Sequence, residues 1–278
     1  MHYNICIIRP QNYAHSSAFT ELAELIAFGL RDLGHSAEIQ ENVINTSARN
    51  IVVGWHLLHP STAEELHPST IILNTEQLRE DEDGWASKIV GWVSRFETWD
   101  YSRINLERLS TLPHAKLGFL PIGYHRNLAR IGRAAEQDID VLFYGSGNKR
   151  RNKIFNDLKQ AGLCVHAVFG VYGQQRDALI ARSKIVLNLH YCKSRIFEIV
   201  RVFYLMINAK CAVCEVDEHT GIDPCYLGGI RHAPYEGLVE LCKTLARDAG
   251  LRRLAEDEAF NTIRLMPQGE LMAPLLVE

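Results

Sequence analysis

Short apolar runs, each long enough for one strand only, recur along this chain between polar loops and stretches of helical periodicity. That alternation leaves few choices of fold. Parallel strands buried on both faces read as continuous runs of Val, Ile and Leu, and each needs a crossover helix to bring the chain back. Residues 5–8, 51–54, 71–73 and 117–120 fit this description in the first half, and residues 17–33 form an amphipathic helix closed by Gly34 as a C-cap. From residue 139 the order repeats: a strand over 139–144 ending at Gly145, a helix over 151–162, a strand over 165–169, a helix over 174–183, a strand over 185–189, a long helix to residue 208 and a strand over 212–216. The expected fold class is therefore α/β, with two Rossmann-like domains over residues 1–122 and 138–278, a linker over 123–137, and parallel sheets facing across a cleft. In such folds ligands bind at the carboxyl ends of the strands.

Bulk properties narrow the function classes. Thirty basic against 33 acidic residues give a net charge of -3, so the chain lacks the broad positive field of a nonspecific nucleic-acid binder and leaves room only for a local basic cleft. The seven cysteines are odd in number and scattered through apolar segments, which fits reduced thiols in a cytosolic protein. Cys211 and Cys214 spell C-x-x-C, but on a strand they point to opposite faces, so no metal site is expected. The amino terminus lacks a signal-peptide pattern and no run is apolar enough to span a membrane, so the expected location is cytoplasmic.

Strand ends hold the candidate chemistry. Gly145, Ser146 and Gly147 permit close backbone approach, and Lys149, Arg150 and Arg151 could meet a diphosphate, although the spacing is neither that of a P-loop nor G-x-G-x-x-G. The alternative for this stretch is a solvated basic turn. The helix expected up to Asn208 is apolar nearly all round, yet helical spacing puts Ser194, Glu198, Arg201 and Asn208 on one face. Either Glu198 and Arg201 pair with each other or the stripe lines a ligand cleft, and its start beside a strand's carboxyl end favours the cleft. In the first domain, His15 follows the first strand and is a candidate general base. Glu76, at another strand end, is the rival base, and Asp100 is a third polar group that could equally cap a helix.

With these residues in view, the second half resembles the carboxyl-terminal domain of GT-B glycosyltransferases of the bacterial group-1-like kind. The matching text is Asp138-Ile139-Asp140-Val141-Leu142-Phe143-Tyr144-Gly145, Ser183-Lys184-Ile185-Val186-Leu187-Asn188 and Arg195-Ile196-Phe197-Glu198. Arg9-Pro10, Leu33-Gly34-His35 and Asn74-Thr75-Glu76-Gln77 resemble the acceptor domain of the same proteins. The resemblance implies a GT-B-like glycosyltransferase that moves a sugar from a nucleotide-sugar donor to a hydroxyl on a glycan, a lipid-linked sugar or a modified macromolecule, as in polysaccharide biosynthesis. It assigns Glu198 to the donor ribose and Lys193, Arg195 or Arg201 to phosphate, with Gly145, Ser146, Lys149, Arg150, Tyr172, Asn188, His190 and Phe197 around the donor. A second register, Arg201-Val202-Phe203-Tyr204, would put Tyr204 in place of the acid. Retaining relatives carry a second glutamate eight positions before the first, where this chain has His190, so an inverting reaction is expected, with no cofactor and no bound metal. The alternatives are a non-catalytic nucleotide-sugar-binding module and transfer to hydroxymethylated cytosine in DNA, the latter disfavoured by the net charge. The missing glycine fingerprint disfavours a dinucleotide oxidoreductase.

Overall fold

Tyr3, Asn4, Ile5, Cys6 and Ile7 are all buried because β1 (His2–Ile7) runs inside a parallel sheet covered on both faces. The buried Asn4 Nδ2 donates to the Val43 carbonyl and to Asn50 Oδ1, each at 2.8 Å. This computed structural model describes residues 1–78, 85–191 and 195–277, and forms two units: residues 1–125 with 267–278, and residues 126–266.

In the first unit β1 is followed by α1 (Thr20–Asp32), β2 (Ser36–Glu41), β3 (Arg49–Val53), β4 (Ile71–Asn74), α2 (Trp85–Val93), β5 (Glu97–Asp100), α3 (Arg103–Ser110) and β6 (Lys116–Phe119). Six strands align in the order β2-β1-β3-β4-β5-β6, all parallel, in a register that sets Ile5 beside Ile51 and Ile51 beside Ile71. One face packs Cys6, Val52 and Ile72 against Trp92, Val93 and Phe96, while α1 buries Leu22, Leu25, Ile26 and Leu30.

The second unit runs β7 (Ile139–Tyr144), α4 (Lys149–Gln160), β8 (Val165–Val168), α5 (Gly173–Arg182), β9 (Ser183–Asn188), α6 (Ile199–Ile207), β10 (Ala212–Glu215), β11 (Arg231–Ala233), α7 (Leu238–Arg247) and α8 (Ala249–Ile263). Its five parallel strands align as β11-β10-β9-β7-β8. Val141, Ile185 and Val213 on neighbouring strands meet Leu158, Leu238 and Leu245 in its core. The α/β class with two parallel sheets is as expected from the apolar runs.

Three sequence expectations need correction. The last residues do not belong with the second unit: α9 (Gln268–Met272) packs on α1, and the buried Gln268 side chain accepts from Gly123 N at 2.7 Å and donates to the Pro121 carbonyl at 3.1 Å. Residues 123–137 are not a free linker either, since Asn208 ties residues 128–131 to the end of α6. The long helix before Asn208 is only the nine residues of α6. Arg195 has φ 49, and the chain around Ile196 and Phe197 pairs with Gly221 through Phe197 N to Gly221 O and Gly221 N to Arg195 O, so it is extended. Glu198 thus precedes the helix, and Asn208 follows it. The charged stripe does not exist as one helical face.

Candidate functional site

In the second unit, the chain leaves β7 for β8 on one side and returns to β9 on the other, so the carboxyl ends of β7 and β9 flank a topological switch point. Ligands bind doubly wound sheets at such points. The β7 side carries Gly145, with φ 141, and Ser146 and Gly147, before α4 opens with Asn148 as N-cap accepting from Arg151 N at 2.8 Å. The N–H groups of Lys149 and Arg150 are left at the start of this 12-residue helix without a partner among the described residues. They are suited to an anion, as is the exposed Lys149 ammonium.

The other two cations of the loop are engaged in the protein. Arg150 forms a bidentate pair with the buried Glu215 at the end of β10 and lies 4.0 Å over the Tyr235 ring. Arg151 is buried, donating to the Ser146 carbonyl at 2.8 Å and to the Leu189 carbonyl. They brace the loop from beneath. Of the three cations of this loop, Lys149 alone has its charge unengaged among the described residues.

From the β9 side, Asn188 Nδ2 donates to Glu198 Oε2 at 3.0 Å, and Asn188 Oδ1 accepts from Arg201 Nη1 at 3.1 Å. Arg201 therefore does not pair directly with Glu198. Its guanidinium instead lies 5.6 Å from the Tyr144 ring centre and under Gly145, where a Cβ would come within 3.2 Å of Nη2. The buried His190 offers Nδ1 at 3.5 Å from Glu198 Oε2, Nε2 at 3.4 Å from Thr220 Oγ1 and its backbone N–H to Glu215 at 3.2 Å. Burial pushes the Glu198 carboxyl up, but His190, Arg201 and Asn188 together hold it below its ordinary value, as a carboxylate. Its Oε2 is occupied, whereas Oε1 has no partner among the described residues and 12% of the side chain stays accessible.

Tyr204 stands elsewhere. Its hydroxyl accepts from Arg130 Nε and donates to Asp177, each at 2.9 Å, with Arg176 over the ring, and burial drives its pKa up. Glu198, not Tyr204, therefore faces the strand ends. Arg195 is tied to Asp217 and Phe197 is in the core, which leaves neither head group directed at a ligand. Tyr172 follows β8, on the far side of β7 from β9, between the left-handed Gly170 and Gly173. Lys193 and Ser194 lie outside the described residues. Cys211 and Cys214 are buried, the former pushed by burial to about 12, as suits structural thiols. Among the described residues no group of three or more His, Cys, Asp or Glu could hold a metal ion.

The first unit has its own switch point, between β1 and β3. His15 lies in a 3-10 turn (Ala14–Phe19) after β1, edge-on to Tyr13 at 5.1 Å. Glu76 follows β4, with Oε1 at 3.5 Å from His56 Nδ1. Asp100 ends β5 fully buried, accepting from Asn74 at 2.6 Å, Ser102 N at 2.7 Å and Asn105 at 3.0 Å, and burial raises its pKa to about 7. Ser102, not Asp100, caps α3. His56 joins this group although nothing in the apolar surroundings of Trp55, Leu57 and Leu58 marks it. The signal was its place two residues beyond Gly54 at a strand end.

Solved structures show the same fold across the chain. A glycosyltransferase of Rickettsia africae aligns with a TM-score of 0.61 at 9% identity, covering 99% of this chain and 96% of that one. T4 phage BGT, in complex with its UDP-glucose substrate, aligns at 0.62 and 11% identity over 99% and 98% of the two chains. Anabaena HepE, in complex with UDP, aligns at 0.60 and 11% identity over 99% of each. The fold is that of the GT-B glycosyltransferases. In sequence, two uncharacterised proteins of Acanthamoeba polyphaga mimivirus are 27% identical over 201 residues and 26% identical over 217 residues. These cover 70% and 73% of this chain but 64% and 28% of those proteins, so the chain spans under two thirds of the relatives it matches. No protein-family model matches the sequence.

Proposed function

We propose that this protein is a nucleotide-sugar-dependent glycosyltransferase whose second unit binds the donor at the switch point between β7 and β9. The observation that carries the proposal is Glu198: a desolvated carboxylate beside the strand ends, with one oxygen fixed by Asn188 and the other without a partner among the described residues. A ribose diol is a donor group that such an oxygen accepts from. The α4 amides and Lys149 then take the diphosphate, whose negative charge grows as the glycosidic bond breaks. UDP-bound neighbours of the same fold support a uridine donor.

The reaction we assign is inverting and metal-independent, with a hexosyl or pentosyl group passing to a hydroxyl acceptor in the cytoplasm and the accepting proton taken by a group of the first unit. His190 in place of a second acid supports the inverting assignment. No helix among the described residues is long and apolar enough to cross a membrane. Calorimetric titration with UDP, GDP and TDP and their glucose conjugates tests the proposal. Binding of at least one, unchanged by EDTA and weakened in Glu198→Ala, is expected, and no binding of any nucleotide by the wild type sinks it.

A further inference from the structure

Asn188, the last residue of β9, is fully buried, and its amide joins two groups of opposite charge. Its Oδ1 accepts from Arg201 Nη1 at 3.1 Å, and its Nδ2 donates to Glu198 Oε2 at 3.0 Å. This row has one sense only. Turned over, the amide would set its NH2 against the guanidinium and its oxygen against the carboxylate, exchanging two hydrogen bonds for two repulsions. Cys214, paired with Asn188 in the register of β10 on β9, adds no charge, because burial and then Glu198 drive its thiol pKa well up.

Arg201 is itself held in place. It stands in the first turn of α6, where its backbone N–H donates to the Glu198 carbonyl at 2.9 Å. Its guanidinium lies 5.6 Å from the Tyr144 ring centre and 5.9 Å from that of Phe143, and Nη2 fills the space that a Cβ at Gly145 would need. No carboxylate of the described residues forms an ion pair with it, and the acid whose charged form it favours is Glu198, across the Asn188 amide. The consequence falls on that acid. Asn188 and His190, whose Nδ1 is 3.5 Å away, both face Oε2, which leaves Oε1 as the oxygen open to a ligand. The torsion of the carboxylate is thus set by the Asn188 amide, and the sense of the amide by Arg201.

We infer that Arg201 is a positioning residue of the donor site: acting through Asn188, it aims the open Glu198 oxygen and so makes the site select a ribonucleotide over the deoxy analogue that lacks the hydroxyl Glu198 accepts from. The inference rests on the glycosyltransferase proposal, and within it Arg201 acts at the ribose and not at the diphosphate. A fixed carboxylate loses a charge-assisted hydrogen bond when the hydroxyl is removed, whereas one free to turn has less to lose, because ordering it costs part of what the bond contributes.

Calorimetry on the full chain with UDP, 2′-deoxy-UDP and 3′-deoxy-UDP tests this. The wild type should bind UDP at least about ten-fold more tightly than one of the two deoxy analogues. In Glu198→Ala, Arg201→Met and Asn188→Ala that ratio should fall to within about three-fold of unity, and Arg201→Met combined with Asn188→Ala should lower it no further. Arg201→Lys, which keeps a charged donor toward Asn188 Oδ1, should recover part of it and serves in place of Arg201→Met if that variant does not fold, with a ratio below wild type then expected. An Arg201 that binds phosphate directly, or a substitution that merely loosens the site, weakens all three ligands alike and leaves the ratio standing, which overturns the inference. By nuclear magnetic resonance of labelled glutamates in the ligand-free protein, Glu198 should titrate below the ordinary range and move up in Arg201→Met. An unmoved Glu198 also overturns it. A wild type that binds none of the three nucleotides defeats the glycosyltransferase proposal, whereas binding with a ratio that does not depend on Arg201 defeats this inference alone.

Discussion

Glu198 offers a desolvated acceptor oxygen that no described residue engages, so a ligand hydroxyl bonded there gains a charge-assisted hydrogen bond. Such a bond contributes about 1.5–3 kcal/mol, so Glu198→Ala should weaken UDP binding roughly 10- to 100-fold by calorimetry. Asn188→Ala should follow it at a smaller cost, since it frees the oxygen that Asn188 now fixes. Asp100 has a different signature. Its folded pKa of about 7 lies above the ordinary carboxyl value, so the folded state holds the extra proton between about pH 4 and pH 7. Its contribution to stability is complete below pH 4 and is lost as pH rises through 7. Urea denaturation across pH 4–8 should show a decline of a few kcal/mol that Asp100→Asn flattens. Glu198 was legible in the sequence because a lone acid in an apolar stretch needs partners. His56 was not, because its carboxylate partner is 20 residues on and meets it only when β3 and β4 pair.

The loop between β7 and α4 depends on one backbone angle. Gly145 at φ 141 is in a region that L side chains avoid, and Arg201 fills the space a Cβ needs. Gly145→Ala should therefore cost about 1–3 kcal/mol of stability and weaken UDP binding, measured by thermal unfolding and calorimetry. At its far end α6 holds residues 128–131 through Asn208, whose Oδ1 accepts from Arg130 N and Ile131 N at 2.7 Å and whose Nδ2 donates to the Leu128 and Tyr204 carbonyls. Asn208→Ala leaves these groups unpaired and should cost ~2–4 kcal/mol in urea, with UDP affinity retained. The strand over residues 139–144 was readable to the residue, since its apolar run, interrupted only by Asp140, ends in glycine. The start of α6 was misread for the opposite reason: Ile196 and Phe197 look helical locally, and what makes them extended is pairing with Gly221.

At the scale of the whole molecule, the two sheets follow from strand-sized runs that no single helix could use, and so does the parallel pairing in each. The allocation of residues 267–278 was invisible, because the partners of Gln268 are Pro121 and Gly123, some 145 positions earlier. Gln268→Ala should lower stability by ~2–4 kcal/mol, with hydrogen exchange speeding in α1 and β1 while α4 and β7 keep their protection.

That return of the chain bears on how the protein is made. Domains form in the order in which their residues leave the ribosome, yet here residues 126–266 can close their own core during synthesis while residues 1–125, made before them, wait for residues 267–278. A nascent chain halted at Met266 should therefore carry a protease-resistant second unit beside a first unit that is still open to cleavage.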